Sequence, residues 1–110
     1  MSKDNIQWSA ICNLTDIGQM LGVRALVGGD QVAVFRVNEG LFAVDAIDPF
    51  TNAAVLSRGI VGDLQGQLVV ASPIYKQHFN LETGVCLEDP EVALKTYQVR
   101  ERDGVVEVAA

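Results

Sequence analysis

The chain has 110 residues, 49% of them hydrophobic, with 14 acidic against 8 basic side chains and a formal charge of −6. This length can bury one hydrophobic core but not two, so a single domain over residues 1–110 is expected. The bases are scattered from Lys3 to Arg102, and a chain with no basic stripe lacks the cations that displace phosphate counterions, which excludes nucleic acid as a partner.

In chain order, residues 6–12 (IQWSAIC) alternate loosely with Ile6, Trp8 and Ala10 on one face, and 13–22 suit one helical turn or an irregular connection. Residues 23–27 form a strand that reverses at Gly28-Gly29-Asp30, where glycine accepts positive φ cheaply. The runs 31–37 and 41–45, joined at Asn38-Glu39-Gly40, carry the strongest hairpin pattern. Residues 46–63 show no clean period and read as a structured loop, with Asp45 as a turn residue before it. Further strands are expected at 67–73, 76–81, 84–88, 93–99 and 105–109, punctuated at Gln65-Gly66, Glu82-Thr83-Gly84 and Arg102-Asp103-Gly104. Short strands at this spacing predict an all-β antiparallel sandwich or small barrel.

The first residues place Lys3 and Asp4 before any sustained apolar run, unlike a signal peptide. No stretch approaches the roughly 20 apolar residues of a membrane span. A cytoplasmic location without membrane attachment is the expectation. Cys12 and Cys86 each lie in apolar sequence without a neighbouring histidine, so they read as reduced, buried small hydrophobes and not as a four-ligand metal site. The acids Glu82, Glu88, Asp89 and Glu91 read as a solvated face.

Two proline-bearing segments follow strands, AIDPF (46–50) and SPIY (72–75). Such loops are where function is mounted on a β scaffold, yet Pro49 and Pro73 equally suit turns that are merely rigid, and the residues alone leave both readings open. No nucleophile–histidine–acid set and no phosphate-cradling glycine loop is present, so independent catalysis is not expected.

The succession LFAVDAIDPF, GQLVVASPIYKQHFNLETGVCLEDP and YQVRERDGVVEV resembles a Rieske [2Fe–2S] domain. That family offers Cys-x-His in its first loop and Cys-x-x-His in its second, ahead of a Phe-x-Leu-x-x-Gly run matched here by Phe79, Leu81 and Gly84. In this register the ligand positions fall on Asp48 and Phe50, and on Ser72 and Tyr75. A Rieske centre needs two thiolates on one iron and two imidazoles on the other. The resemblance therefore implies a Rieske-like fold with a degenerate cluster-binding subdomain and no [2Fe–2S] cluster. A mononuclear relic at Asp48, Tyr75 and His78 would combine two hard oxygens with a distal imidazole, which lacks the usual transition-metal ligand logic. His78, the only histidine, reads as structural.

Over about residues 8–108, the segments IDPF, VLSRGIVGD, GVCLED and DGVVEV are similar to the small-subunit family of NAD(P)H-dependent assimilatory nitrite reductases. What this resemblance implies is an accessory subunit, non-catalytic itself, whose partner is the nitrite reductase large subunit. That partner would carry FAD, sirohaem and an iron–sulfur cluster and reduce nitrite to ammonium. Phe50 and Tyr75 supply aromatic bulk that could fill the cluster's space. Alternatively the loop tips face outward, with Pro49, Phe50, Arg58, Tyr75 and Lys76 as the candidate partner interface. The rival readings are a stand-alone clusterless binding module and a Rieske-type electron carrier, the latter opposed by the missing ligands.

Overall fold

The computed structural model describes residues 7–109 and is all-β apart from two single-turn 3-10 helices at Leu14–Asp16 and Leu56–Arg58. Ten strands run in order: β1 (Trp8–Asn13), β2 (Leu21–Val27), β3 (Asp30–Val37), β4 (Gly40–Asp45), β5 (Ile60–Leu64), β6 (Gln67–Ala71), β7 (His78–Asn80), β8 (Thr96–Tyr97), β9 (Val99–Arg102) and β10 (Val105–Ala109). They form three antiparallel sheets, ordered β1-β10-β9, β2-β3-β4-β8 and β5-β6-β7.

β3 is the shared wall. Val32 and Val34 pack with Val106 and Val108 of β10, while Ala33, Phe35 and Val37 pack with Val70, Phe79 and Leu81 around the third sheet. A strand buried on both faces needs an apolar residue at nearly every position, which is what residues 32–35 supply. The third sheet, with its flanking loops, is thereby seated on the face of the second.

The hairpin β3–β4 pairs Val37 with Gly40 as the turn residues predict, and positive φ at Asn38 makes the reversal. The 3-10 turn at 14–16 meets the expectation for 13–22. Ile6, placed at the start of the first strand, lies outside the described residues.

Several boundaries differ from the sequence reading. The supposed loop 46–63 contains β5, which pairs with β6 from Ile60↔Ala71 to Leu64↔Gln67; Gly62 and Asp63 interrupt its apolar run and hide the alternation. The expected strand 84–88 makes only the isolated bridges Phe79↔Cys86 and Val85↔Ala93 before a turn in which the Val92 N–H donates to Asp89 O at 2.9 Å. The expected strand 93–99 splits at Gln98, because the chain leaves β4 and joins β10. The strands expected at 67–73 and 76–81 shrink to β6 and β7 as the chain turns away at Ser72.

Asp45 is not a turn residue. Its carboxylate accepts from the Tyr97 hydroxyl at 2.7 Å and from the Lys95 N–H at 3.0 Å, strapping the end of β4 to the chain entering β8. Burial first, then this carboxylate, pushes the Tyr97 phenol well above its ordinary range. Cys86 is fully buried as expected, whereas Cys12 is only half-buried; burial raises both thiols.

Candidate functional site

The third sheet presents both proline loops at one end. β4 delivers the chain into 46–54, β6 into 72–77, and the 3-10 turn at Leu56–Arg58 closes the first loop onto β5. The SRG glycine is a packing requirement: a Cβ on Gly59 would stand 2.5 Å from the Ala71 carbonyl and 2.6 Å from a Val70 methyl. Gly84 is stricter still, with φ of +81° and a built Cβ only 2.1 Å from Leu94 O.

The Phe-x-Leu-x-x-Gly run anchors this end. Phe79 and Leu81 are buried in the core, and Asn80 between them organises the turn. Its Oδ1 accepts from the N–H groups of Glu82 and Thr83 at 2.7 and 2.9 Å, while its Nδ2 donates to Gln67 Oε1 at 2.8 Å. Asn80 was not singled out from sequence, although an Asn just before a turn is a known signal for backbone-bonding side chains.

The four positions that the sequence resemblance assigns to cluster ligands separate into two kinds. Asp48 and Ser72 are buried at the base of the loops, 0% and 1% exposed, and the Ser72 hydroxyl donates to Asp48 Oδ2 at 2.5 Å. Phe50 and Tyr75 lie further out. Phe50 is half-buried against the core, its ring 6.2 Å from that of Phe79 and tilted by 42°. Tyr75 is 63% exposed. The aromatic filling of the loop end therefore comes from Phe50 and not from Tyr75. The half-buried ring faces an apolar core, whereas the phenol keeps its hydroxyl in water.

These residues do not fit a [2Fe–2S] cluster. Phe50 has no donor atom, and the Asp48 carboxylate is spent on the Ser72 hydroxyl and on the Phe50 N–H, which donates to Oδ1 at 2.8 Å. Of Asp48, Tyr75 and His78, the first is buried with both oxygens bonded and the second is largely in water. His78 is bound instead by Glu88, whose Oε1 accepts from its backbone N–H at 2.8 Å and whose Oε2 lies 2.6 Å from Nδ1. Glu88 is thus a partner of the site's flank and not part of a purely solvated face. Among the described residues, no group of three or more His, Cys, Asp or Glu side chains is placed to hold a metal ion.

The remaining candidates sit at the surface. Pro49, Arg58 and Lys76 are exposed, and Arg58 makes no ion pair among the described residues. Lys76 takes a left-handed backbone with φ of 64°, which lets its N–H return to Ser72 O at 3.0 Å. The sequence reading missed Ile47 and Ile74, which are 37% and 45% exposed beside Pro49 and Tyr75. Isoleucines at these loop positions carry no period, so only their exposure marks them.

Comparison with known proteins bears on this geometry. The family model described as the Rieske-like [2Fe-2S] domain matches residues 7–109. The nitrite reductase (NADH) small subunit of Salmonella typhimurium is 49% identical over 104 residues, covering 93% of this chain and 96% of that protein. The solution structure of the nitrite reductase [NAD(P)H] small subunit from Erwinia carotovora superimposes with a TM-score of 0.79 at 46% identity, covering 94% of this chain and 81% of that one. The nitrite reductase [NAD(P)H] large subunit of Klebsiella oxytoca contains a segment 40% identical over 99 residues, which covers 90% of this chain but 10% of that protein.

Proposed function

We propose, from the premise that this chain belongs to the Rieske-like [2Fe-2S] domain family, that it is the accessory small subunit of an NAD(P)H-dependent nitrite reductase. The observation that carries this reading is the match along nearly the whole of both chains to a protein of that name. On this reading the chain is one domain, binds no cluster of its own and works in the cytoplasm. Flavin, sirohaem and iron–sulfur chemistry belong to the large subunit, which reduces nitrite to ammonium. The donor set at Asp48, Phe50, Ser72 and Tyr75 supports a non-redox role, because none of the four supplies a thiolate or an imidazole.

Association with the large subunit is supported by the Klebsiella oxytoca protein, in which a homologous segment is part of the large-subunit chain itself. The docking surface we assign is the loop end: Pro49, the exposed edge of Phe50, Arg58, Tyr75 and Lys76, joined by Ile47 and Ile74. Aromatic and Arg side chains are the types enriched in interface hot spots, and an apolar centre with a charged rim is the usual interface anatomy. Titration of the purified large subunit with Tyr75→Ala and Arg58→Glu variants tests the assignment. Each is expected to weaken binding by ~10-fold or more, the scale of a hot-spot truncation. Undiminished binding of both would reject this face, and isolation from the native host with no sirohaem-containing partner would reject the subunit role.

A further inference from the structure

Each loop is wound around one buried polar residue. In the first, the Asp48 carbonyl accepts from the N–H groups of Thr51 and Asn52 at 3.2 and 2.7 Å, its own N–H donates to Ala53 O at 2.9 Å, and Oδ1 receives the Phe50 N–H at 2.8 Å. In the second, the Ser72 carbonyl accepts from the Lys76 N–H at 3.0 Å, its N–H donates to Gln77 O at 2.9 Å, and its Oγ receives the Ile74 N–H at 3.4 Å. The two centres meet in the 2.5 Å bond from Ser72 Oγ to Asp48 Oδ2. Among the described residues it is the only hydrogen bond between 46–54 and 72–77.

We propose that the Asp48–Ser72 pair is a clasp that positions the docking face: by joining the centres of the two loops it sets Ile47, Pro49, Ile74 and Tyr75 in one fixed arrangement for the large subunit. A buried carboxylate is costly unless its oxygens are engaged, and here each oxygen has one donor, so the arrangement has a single satisfied state. Charge-assisted hydrogen bonds of this kind are short and comparatively strong. Surfaces held in their bound geometry lose less conformational freedom on association, so the clasp raises affinity without itself touching the partner. This inference rests on the docking assignment above, and the positions it concerns, Asp48 and Ser72, are those with no exposed surface to offer a partner.

The test uses the isolated chain and its titration with the purified large subunit. Ser72→Ala removes the donor. It is expected to speed amide exchange at Phe50 and Ile74 by on the order of tenfold and to weaken binding by a similar factor, as for loss of one hydrogen bond to a charged group. Asp48→Asn is the conservative rescue, since its amide can accept from the Phe50 N–H and donate to Ser72 Oγ; exchange and affinity should stay within about threefold of the parent. Should Ser72→Ala fail to fold, Ser72→Cys, with a weaker donor of similar shape, is expected to give a graded version of the same loss. Unchanged exchange in Ser72→Ala, or faster exchange with unchanged affinity while Tyr75→Ala weakens binding, would overturn the clasp. Unchanged affinity in both Ser72→Ala and Tyr75→Ala would overturn the docking assignment beneath it.

Discussion

Replacing Phe50 by Ala asks whether an aromatic ring has taken over the packing at the loop end. Full removal of a buried Phe side chain costs about 3–5 kcal/mol, and Phe50 is half-buried, so roughly half of that applies. The contact with Phe79 adds little: centroids 6.2 Å apart at 42° lie toward the outer limit of aromatic pairing, so about 0.5 kcal/mol is expected from it. The sum is about 2–3 kcal/mol, which for a chain of this size corresponds to a fall in Tm on the order of 10 °C. Urea and thermal unfolding of the isolated chain read this directly. Tyr75→Ala is the internal control, because a side chain with 63% of its surface already in water should change stability by less than about 0.5 kcal/mol. A loss below about 0.5 kcal/mol for Phe50→Ala, equal to that control, would refute the packing argument.

Two further outcomes follow from the flanks of the site. Gly84→Ala should destabilise by more than about 3 kcal/mol or prevent folding, since it combines a left-handed backbone with a Cβ driven to 2.1 Å from the Leu94 carbonyl, a backbone atom that cannot swing away; a normal unfolding midpoint would contradict that geometry. Burial pushes the Glu88 carboxyl up, but the His78 N–H and imidazole outweigh it and hold the group below the ordinary glutamate range. A carboxylate depressed in the folded state contributes stability that is complete above its unfolded value and is lost as pH falls through its folded value. Stability should therefore decline on acidification below the ordinary glutamate range, and Glu88→Gln should flatten that part of the profile. An identical acid limb in the variant would show that the pair does not contribute.

Much of the fold is local and so legible in the chain. Short β-rich runs at 31–37 and 105–109, and glycine or asparagine at the reversals, define strands and turns because strand preference and φ are properties of a few adjacent residues. The resemblance, framed on Phe79, Leu81 and Gly84, assigns Asp48, Phe50, Ser72 and Tyr75 to the ligand positions, and residue type alone says that these four supply no thiolate or imidazole. β5 was hidden because Gly62 and Asp63 break its pattern, and it exists by virtue of its pairing with β6. The division of 93–102 between two sheets was equally invisible, since a strand's own sequence does not name its neighbour.

What only the tertiary structure decided is how the four positions are used. Ser72 and Asp48 lie 24 residues apart, and nothing local to either indicates that they share a hydrogen bond. Phe50 and Tyr75 are both aromatic, yet one lies against Phe79 and the other faces solvent. That difference depends on what the third sheet brings beneath each loop. The amino-acid sequence by itself determined that Asp48, Phe50, Ser72 and Tyr75 bring no thiolate or imidazole, because coordination depends on atoms a residue has or lacks. Burial, pairing and exposure depend on distant segments meeting, and so only the folded chain joins the two loops through Ser72 and Asp48 and leaves Ile47, Ile74 and Tyr75 at the surface.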